Sequence, residues 1–362
     1  MTLVRASTER SRPDRPAIPL CVLALAILPG GRGARADDGP TVRPREAWSG
    51  VFGAAPIDFH FEIRGAERPR LRVGWAFTIG RRTVAAGEAV VDPGPDGPAT
   101  AVVHLDVPPV KDGVVLPALL TVSVTEGGRR DALATAEKPL RIFPRNPFAD
   151  RVDWLQGLGL TLFDPAGTTA GPFEALGIPF ASARDVEAVA ALEGGTLVVG
   201  EGASFAERRG LAEAMAALAA RGVPVLCLAP ADGAIPLPAA GDGDDPAAES
   251  IALRRQDIIA VLDKRLDAAA WPGGGEVAAG GLILKAEGGR LVGEVAAGRR
   301  GWPWVEVGYP GRAGKLVICG FGLVKHWDDG PTPRFLLARA LEAVAGTVEG
   351  PDRTQSERAP ER

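Results

Sequence analysis

The chain has 362 residues, of which 46% are hydrophobic and 24% charged, with a formal net charge of −4 and only three cysteines. If residues 1–36 are removed, six Arg and two acids leave the totals of 41 basic and 45 acidic residues, and the net charge becomes −8, which disfavours nucleic acid and anionic membranes as partners. Two cysteines then remain, too few for a disulfide scaffold, while the apolar content suffices for two cores.

Arg5, Arg10, Arg12 and Arg15 precede an apolar run from Ala17 to Leu28, and Ala34-Arg35-Ala36 follows it. A basic region, a short apolar region and an A-x-A site predict a signal peptide over 1–36 and export to a periplasmic, cell-surface or extracellular location. The run falls short of the roughly twenty residues that span a bilayer, so no membrane span is expected after cleavage. Leu20 before Cys21 is not the small residue that a lipoprotein signal needs.

From Trp48 to Phe143 the apolar residues alternate with period two: Phe59, Phe61 and Ile63; Leu71, Val73, Trp75, Phe77 and Ile79; Val103, Leu105 and Val107; Leu120, Val122 and Val124. Such alternation marks half-buried strands. Turn clusters at Asp92–Gly97 and Glu126–Gly128 separate them with no helical stretch, which predicts a small antiparallel β-sandwich over residues 48–143. The pattern resembles an immunoglobulin-like module in architecture only, because the Cys–Trp–Cys signature is missing. Asp58, His60 and Glu62 share the outer side of one strand, and His104 and Asp106 that of another. These residue types ligate cations, yet alternation alone already demands polar residues there.

The period changes after Pro144-Arg145-Asn146-Pro147, and the Pro pair predicts a junction near 144–150 that few contacts cross. Leu160–Phe163 reads as a strand ending in Asp164-Pro165, followed by a helix to Gly177 and a brief strand at Ile178–Phe180. Ser182 with Asp185 reads as a capping box for a helix closed by Gly194-Gly195. Thr196–Val199 is the next strand. Ser204 with Glu207 reads as a second capping box, opening an Ala-rich helix to Ala220 before the strand Val225–Leu228. Alternating strands and helices at this spacing predict a mostly parallel sheet with helices on both faces. Residues 231–250 read as a mobile loop. Beyond them lie a helix at 257–266, strands at 282–284 and 291–295, a hairpin of strands 304–307 and 316–319, a last helix at 334–344 and a disordered polar tail over 347–362.

Three motifs give residues 150–346 a resemblance to the class I glutamine amidotransferase-like fold: the strand ending Asp164-Pro165, the segment Gly222-Val223-Pro224-Val225-Leu226, and a terminal strand leading to His326-Trp327-Asp328. The resemblance implies a three-layer α/β domain, flavodoxin-like in outline. It also implies a Pro-Val-Leu-Gly-Ile-Cys elbow and a terminal His-x-Glu, which His326 and Asp328 match in type and spacing. Here the elbow glycine is Cys227 and the nucleophile position is Ala229, and an alanine cannot attack a carbonyl. Degenerate domains of this shape resemble binding modules of exported or envelope proteins.

In open parallel sheets ligands bind beyond the carboxyl ends of the strands. Those ends deliver Asp164, Glu201 and Asp232, with Lys325, His326 and Asp328 from the terminal strand, as the candidate ligand-binding cluster. Each also has a plain structural role open to it, as a turn opener, loop residue or cap. Gly200-x-Gly202 lacks the third glycine of a dinucleotide fingerprint, since position 205 is Phe, and Ser204 lacks a G-x-S-x-G frame. Trp302 and Trp304 flank Pro303 either as packing residues or as a sugar-stacking platform. Cys227 and Cys319 lie in apolar runs as buried thiols or as one disulfide. The reading that results is a non-catalytic exported binding or assembly protein, with no cofactor and with an envelope protein or carbohydrate as partner. The alternative is a hydrolase or metal-dependent enzyme using Asp164, Glu201 and His326.

Overall fold

A computed structural model describes residues 40–65, 70–92, 98–126, 131–237, 248–272, 282–286, 291–296, 301–309 and 314–346. The expected signal peptide and tail lie outside the described residues, as do most of the turn at 92–97, the turn glycines 127 and 128, the middle of the 231–250 loop and the hairpin tip at 310–313. The described chain is mostly β-sheet, with few helices and several mixed sheets.

The N-terminal strands form two sheets on one core. β1 (Thr41–Pro44), β3 (Pro56–Arg64) and β6 (Ala99–Asp106) make the smaller, in the order β1-β3-β6. β2 (Gly50–Phe52), β4 (Leu71–Ile79), β5 (Arg82–Val91), β7 (Leu116–Glu126) and β8 (Ala134–Phe143) make the larger, in the order β2-β8-β7-β4-β5. The second sheet is mixed, because β2 runs parallel to β8 while the other pairs are antiparallel. The alternation seen in the sequence sets the faces: Phe59, Phe61, Val73, Phe77, Leu120 and Val122 are buried between the sheets. On the outer face, His104 Nδ1 lies 2.7 Å from Asp58 Oδ1 directly across the ladder, and His60 turns to Glu46 at 2.8 Å. Glu62 pairs with Arg64 of its own strand, so these polar stripes are engaged in surface ion pairs. Among the described residues, no three His, Cys, Asp or Glu side chains gather as a metal site. The free edge, β5, carries a bulge opposite Phe77/Thr78 that disrupts the ladder a neighbouring chain would need.

The remaining strands centre on a seven-stranded mixed sheet. Its parallel part is β10 (Ala181–Ser182), β9 (Leu160–Phe163), β11 (Thr196–Val199), β12 (Val225–Leu228) and β18 (Lys315–Cys319), extended antiparallel by β17 (Trp304–Gly308) and β14 (Ser250–Arg254). Every residue of β11 and β12 is buried, as continuous apolar strands in a parallel sheet must be. One face is covered by α1 (Val152–Gly157), α2 (Ala170–Ala175), α5 (Ile258–Leu262) and α6 (Pro331–Ala345). The other is covered by α3 (Val186–Ala190) and α4 (Leu211–Ala220), together with a three-stranded sheet of β13 (Gly233–Leu237), β15 (Leu282–Ala286) and β16 (Leu291–Val295). Strands share in covering a face that the sequence pattern assigned to helices alone.

Local corrections have local causes. The Ala-rich helix starts at Leu211 rather than near Ser204, because Gly210 at φ +82° breaks the turn before it; the Ser204 hydroxyl also donates to Asp232. The cap of α3 is Asp185, which accepts the Ala188 N–H at 2.8 Å, and Ser182 belongs to β10. α6 begins three residues before Arg334, its fixed-φ prolines Pro331 and Pro333 suiting a helix's first turn.

More contacts cross the 144–150 junction than its proline pair suggests. The Asp267 carboxylate accepts from the Ser49 N–H at 2.9 Å, the Ser49 hydroxyl at 2.7 Å and the Gly50 N–H at 2.6 Å. Phe143 packs edge-on against Phe335 of α6 with 4.8 Å between ring centroids. Arg334 donates to the Arg145 carbonyl at 3.0 Å and lies 4.9 Å from the Phe52 ring. An alternating chain of charges runs alongside. Arg265 and Arg339 both hold Asp263, at 2.6 and 3.0 Å, and Arg339 and Arg151 both hold Glu342. Burial works against the Asp263 charge, but hydrogen bonds from the Arg265 side chain and backbone and the charges of Arg265 and Arg339 outweigh it and hold the carboxyl at about 2.

Two outcomes follow. Asp267→Ala leaves two backbone donors and a hydroxyl without their acceptor, and urea titration should show a loss of about 3 kcal/mol in a single transition reported by both halves; an unchanged midpoint would refute the clamp. For Asp263 the folded value lies below the ordinary 3.8, so its contribution of about 2 kcal/mol is present above pH 4 and disappears as the pH falls towards 2. The stability gap between wild type and Asp263→Asn should close over that window and stay constant from pH 5 to 7.

Candidate functional site

The carboxyl ends of β9, β11, β12 and β18 are laced by backbone bonds: Gly200 N–H to the Phe163 carbonyl at 2.8 Å, Ala229 N–H to Cys319 at 2.7 Å, and Gly202 N–H to Ala229 at 2.9 Å. Ala229 sits at the centre of this lacing, 2% exposed, with φ of +24°. A non-glycine residue at positive φ stores roughly 1–3 kcal/mol of strain. The strained turn directly after β12 is thus present, and its side chain is a methyl group.

The candidate carboxylates are turned onto backbone amides. Asp164 Oδ2 accepts the Thr169 and Ala170 N–H groups at 2.8 and 2.9 Å, closing the loop into α2. A Cβ on Gly200 would come 2.5 Å from Asp164 Oδ1, which is why position 200 is glycine. Thr169 passes the connection on, its hydroxyl accepting the Glu201 N–H at 2.9 Å. The Glu201 carboxylate is buried and accepts the N–H groups of Val324 at 2.7 Å and Lys325 at 3.2 Å. Burial raises its pKa, while these two N–H groups and the nearby His326 and Lys325 pull it down, with a net upward shift. Glu201 thereby holds the turn that presents His326.

His326 is 5% exposed, with Nδ1 2.6 Å from Asp329 Oδ2 and its ring edge-on to Trp271 at 6.4 Å between centroids. Its buried Nε2 has no hydrogen-bond partner among the described residues. Asp328 points away and pairs with Arg334, so the carboxylate that reaches the imidazole is Asp329. The His-x-Asp spacing drew attention to Asp328; the i,i+3 spacing of a helical turn was the signal for Asp329. Lys325 is exposed at the rim. Asp232 lies on a separate loop, accepting the Ser204 hydroxyl at 2.5 Å. The structure therefore brings Asp164, Glu201, Lys325 and His326 into one bonded set and leaves Asp232 and Asp328 to other partners.

Cys227 packs on the α4 face of the sheet and Cys319 on the α6 face, which rules out their pairing in this fold, and both thiols are free. Burial pushes the Cys227 pKa far above that of an ordinary thiol, and raises Cys319 to about 12. Neither supplies a thiolate at neutral pH. Trp304 is fully buried, donating to Glu306 at 2.9 Å, and the Arg255 guanidinium lies over the Trp302 ring at 4.0 Å, so the pair presents no open stacking face.

No family model matches the chain, and no curated protein does. Among solved structures it is similar to a cycloisomaltooligosaccharide glucanotransferase from Paenibacillus sp. at 11% identity, over 45% of this chain and 21% of that one, with a TM-score of 0.23. It is also similar to a beta-glucuronidase from Parabacteroides merdae at 9% identity, over 52% of this chain and 24% of that one, with a TM-score of 0.20. The chain spans about a quarter or less of these proteins, and likenesses of this size fix neither fold nor activity. No described helix is long and apolar enough to cross a membrane.

Relief of the positive φ at Ala229 means that Ala229→Gly should raise stability by about 1 kcal/mol in urea titration, the reverse of the usual cost of glycine; a loss of that size would refute the strain.

Proposed function

We propose that this is an exported, non-catalytic binding protein of the cell envelope or exterior. In this reading residues 48–143 are an immunoglobulin-like spacer and residues 150–346 a degenerate class I glutamine amidotransferase-like domain, whose ligand sits at the carboxyl ends of the parallel strands. The observation that carries it is Ala229: the sharp turn after β12 keeps its positive φ and its backbone bonds, with a methyl group in the place of a nucleophile. The Asp164 and Glu201 carboxylates are taken up by backbone amides, whereas the Nε2 of His326 is a buried polar atom with no hydrogen-bond partner among the described residues. An envelope protein or carbohydrate, rich in hydroxyl and amide groups, suits such a hydrogen-bonding imidazole.

One observation favours a second reading as a hydrolase. An imidazole oriented by Asp329 through Nδ1, with Nε2 free, has the arrangement of a general base. It lacks an adjacent nucleophile among the described residues, and the Glu201 carboxylate is held by backbone amides.

The expected result is no glutamine hydrolysis, and iodoacetamide labelling of Cys227 and Cys319 only after unfolding. Turnover that Cys227→Ala abolishes, with rapid native labelling of that thiol, would overturn the proposal. The chain has three histidines, so histidine-selective NMR resolves them. Titration with soluble envelope polysaccharide fragments should move the His326 ring signals and leave His60 and His104 in place; movement of the latter two alone would remove the strand ends as the ligand site.

A further inference from the structure

A cleft of about 390 Å³ opens where the N-terminal sheets, the 147–151 turn and α6 meet. It lies within the size range of small-molecule sites and at the kind of junction where they occur. Val115 and Phe335 give it an apolar floor, and Arg151, Arg265, Arg339, Glu342 and Asp150 line the remainder.

The charges are unevenly satisfied. The chain Arg265–Asp263–Arg339–Glu342–Arg151 has three guanidinium groups for two carboxylates and ends in an arginine at both sides. Arg265 uses Nε and Nη2 on Asp263, leaving Nη1, and Arg151 uses only Nη1 on Glu342. The unused guanidinium donors belong to side chains of the same cleft, and the network's net charge is positive. Arg151 is further held flat, 4.0 Å above the Trp154 ring. Asp150 is different: it is exposed and has no side-chain partner among the described residues, and its carboxylate rests against Gly113, where φ of +76° and the absence of a side chain leave it room.

We propose that this cleft binds a small zwitterion, an α-amino acid with an apolar side chain. Its carboxylate meets the spare donors of Arg151 and Arg265, its ammonium meets Asp150, and its side chain covers Val115 and Phe335. Planar guanidinium groups match a carboxylate, and a lone carboxylate beside a cationic cluster selects against plain anions. The site is separate from the strand ends, so it stands or falls apart from the proposal above.

The test uses the mature chain in calorimetric titration, with L-leucine as probe and two fragments of it: 4-methylpentanoate, which lacks the ammonium, and isoamylamine, which lacks the carboxylate. The indole N–H signal of Trp154 is followed in parallel. Leucine should bind saturably and shift that signal, and each fragment should bind at least about tenfold more weakly. Asp150→Asn, whose side chain has no partner to lose among the described residues, should lower leucine affinity about tenfold and tighten 4-methylpentanoate, which no longer meets a like charge. Arg151→Gln should weaken both acids. No saturable leucine binding below about 10 mM would overturn the proposal. So would unchanged affinity in Asp150→Asn, or phosphate binding as tightly as leucine.

Discussion

A strand buried on both faces needs two covers, and β11 and β12 are buried along their whole length. The rest of the architecture follows from that demand. Apolar strands of this kind exchange no surface with water, so each face must be closed by elements that bury their own apolar side completely. On one face α6 does this, with Leu336, Leu337, Ala340 and Leu341 fully buried. That single helix cannot span the sheet. α1, α2 and α5 add Leu155, Phe173 and Ile259, and Phe143 and Phe148 pack beside them, Phe143 belonging to the last strand of the N-terminal sheets. The seven-stranded sheet is thus sealed in part by the other half of the protein, and the Asp267 clamp and the arginine–carboxylate chain lie along that seal.

The same demand explains why the strand-end carboxylates are committed. Four loops leave the sheet within a few ångströms of one another, and each carries backbone N–H groups that have lost their ladder partners. Asp164 and Glu201 supply acceptors to four of them. A carboxylate so used is poorly placed to exchange protons with a substrate, because moving it strands buried donors at a cost of roughly 1–3 kcal/mol each. Polar residues at a ligand-binding edge can therefore be mortar, and the resemblance to an enzyme fold does not assign them chemistry.

How far the sequence could be read depends on the range of the interaction responsible. Period-two runs such as Phe59-Phe61-Ile63 and the continuous run Val225–Leu228 report burial directly, and those strands stand where the pattern puts them. Caps are nearly as local, yet Ser204 shows their limit: its hydroxyl serves the Glu207 N–H at 3.2 Å as a cap would, while Gly210 prevents the helix from starting there. The set Asp164, Glu201, Lys325 and His326 was legible because parallel topology brings strand ends together. Asp329 was legible only through its i,i+3 spacing to His326, which matters once the turn after β18 is helical, whereas the walls of the Asp150–Arg151 cleft come from segments more than 180 residues apart. No local pattern encodes such a meeting.

The two cysteines show how a single geometric rule decides chemistry. Successive residues of a strand point to opposite faces. β12 and β18 are parallel neighbours in which Cys319 lies opposite Leu228, one residue beyond Cys227. That offset of one places Cys227 among the α4 side chains and Cys319 among those of α6, with the sheet itself between the sulfurs. No side-chain rotation can bring them together, and an oxidising compartment would leave both thiols reduced while the sheet stays folded. A slip of β12 by one residue would put both on one face, but it would also turn Val225 and Leu226 out of the cores they fill, so packing and thiol chemistry are fixed by the same register.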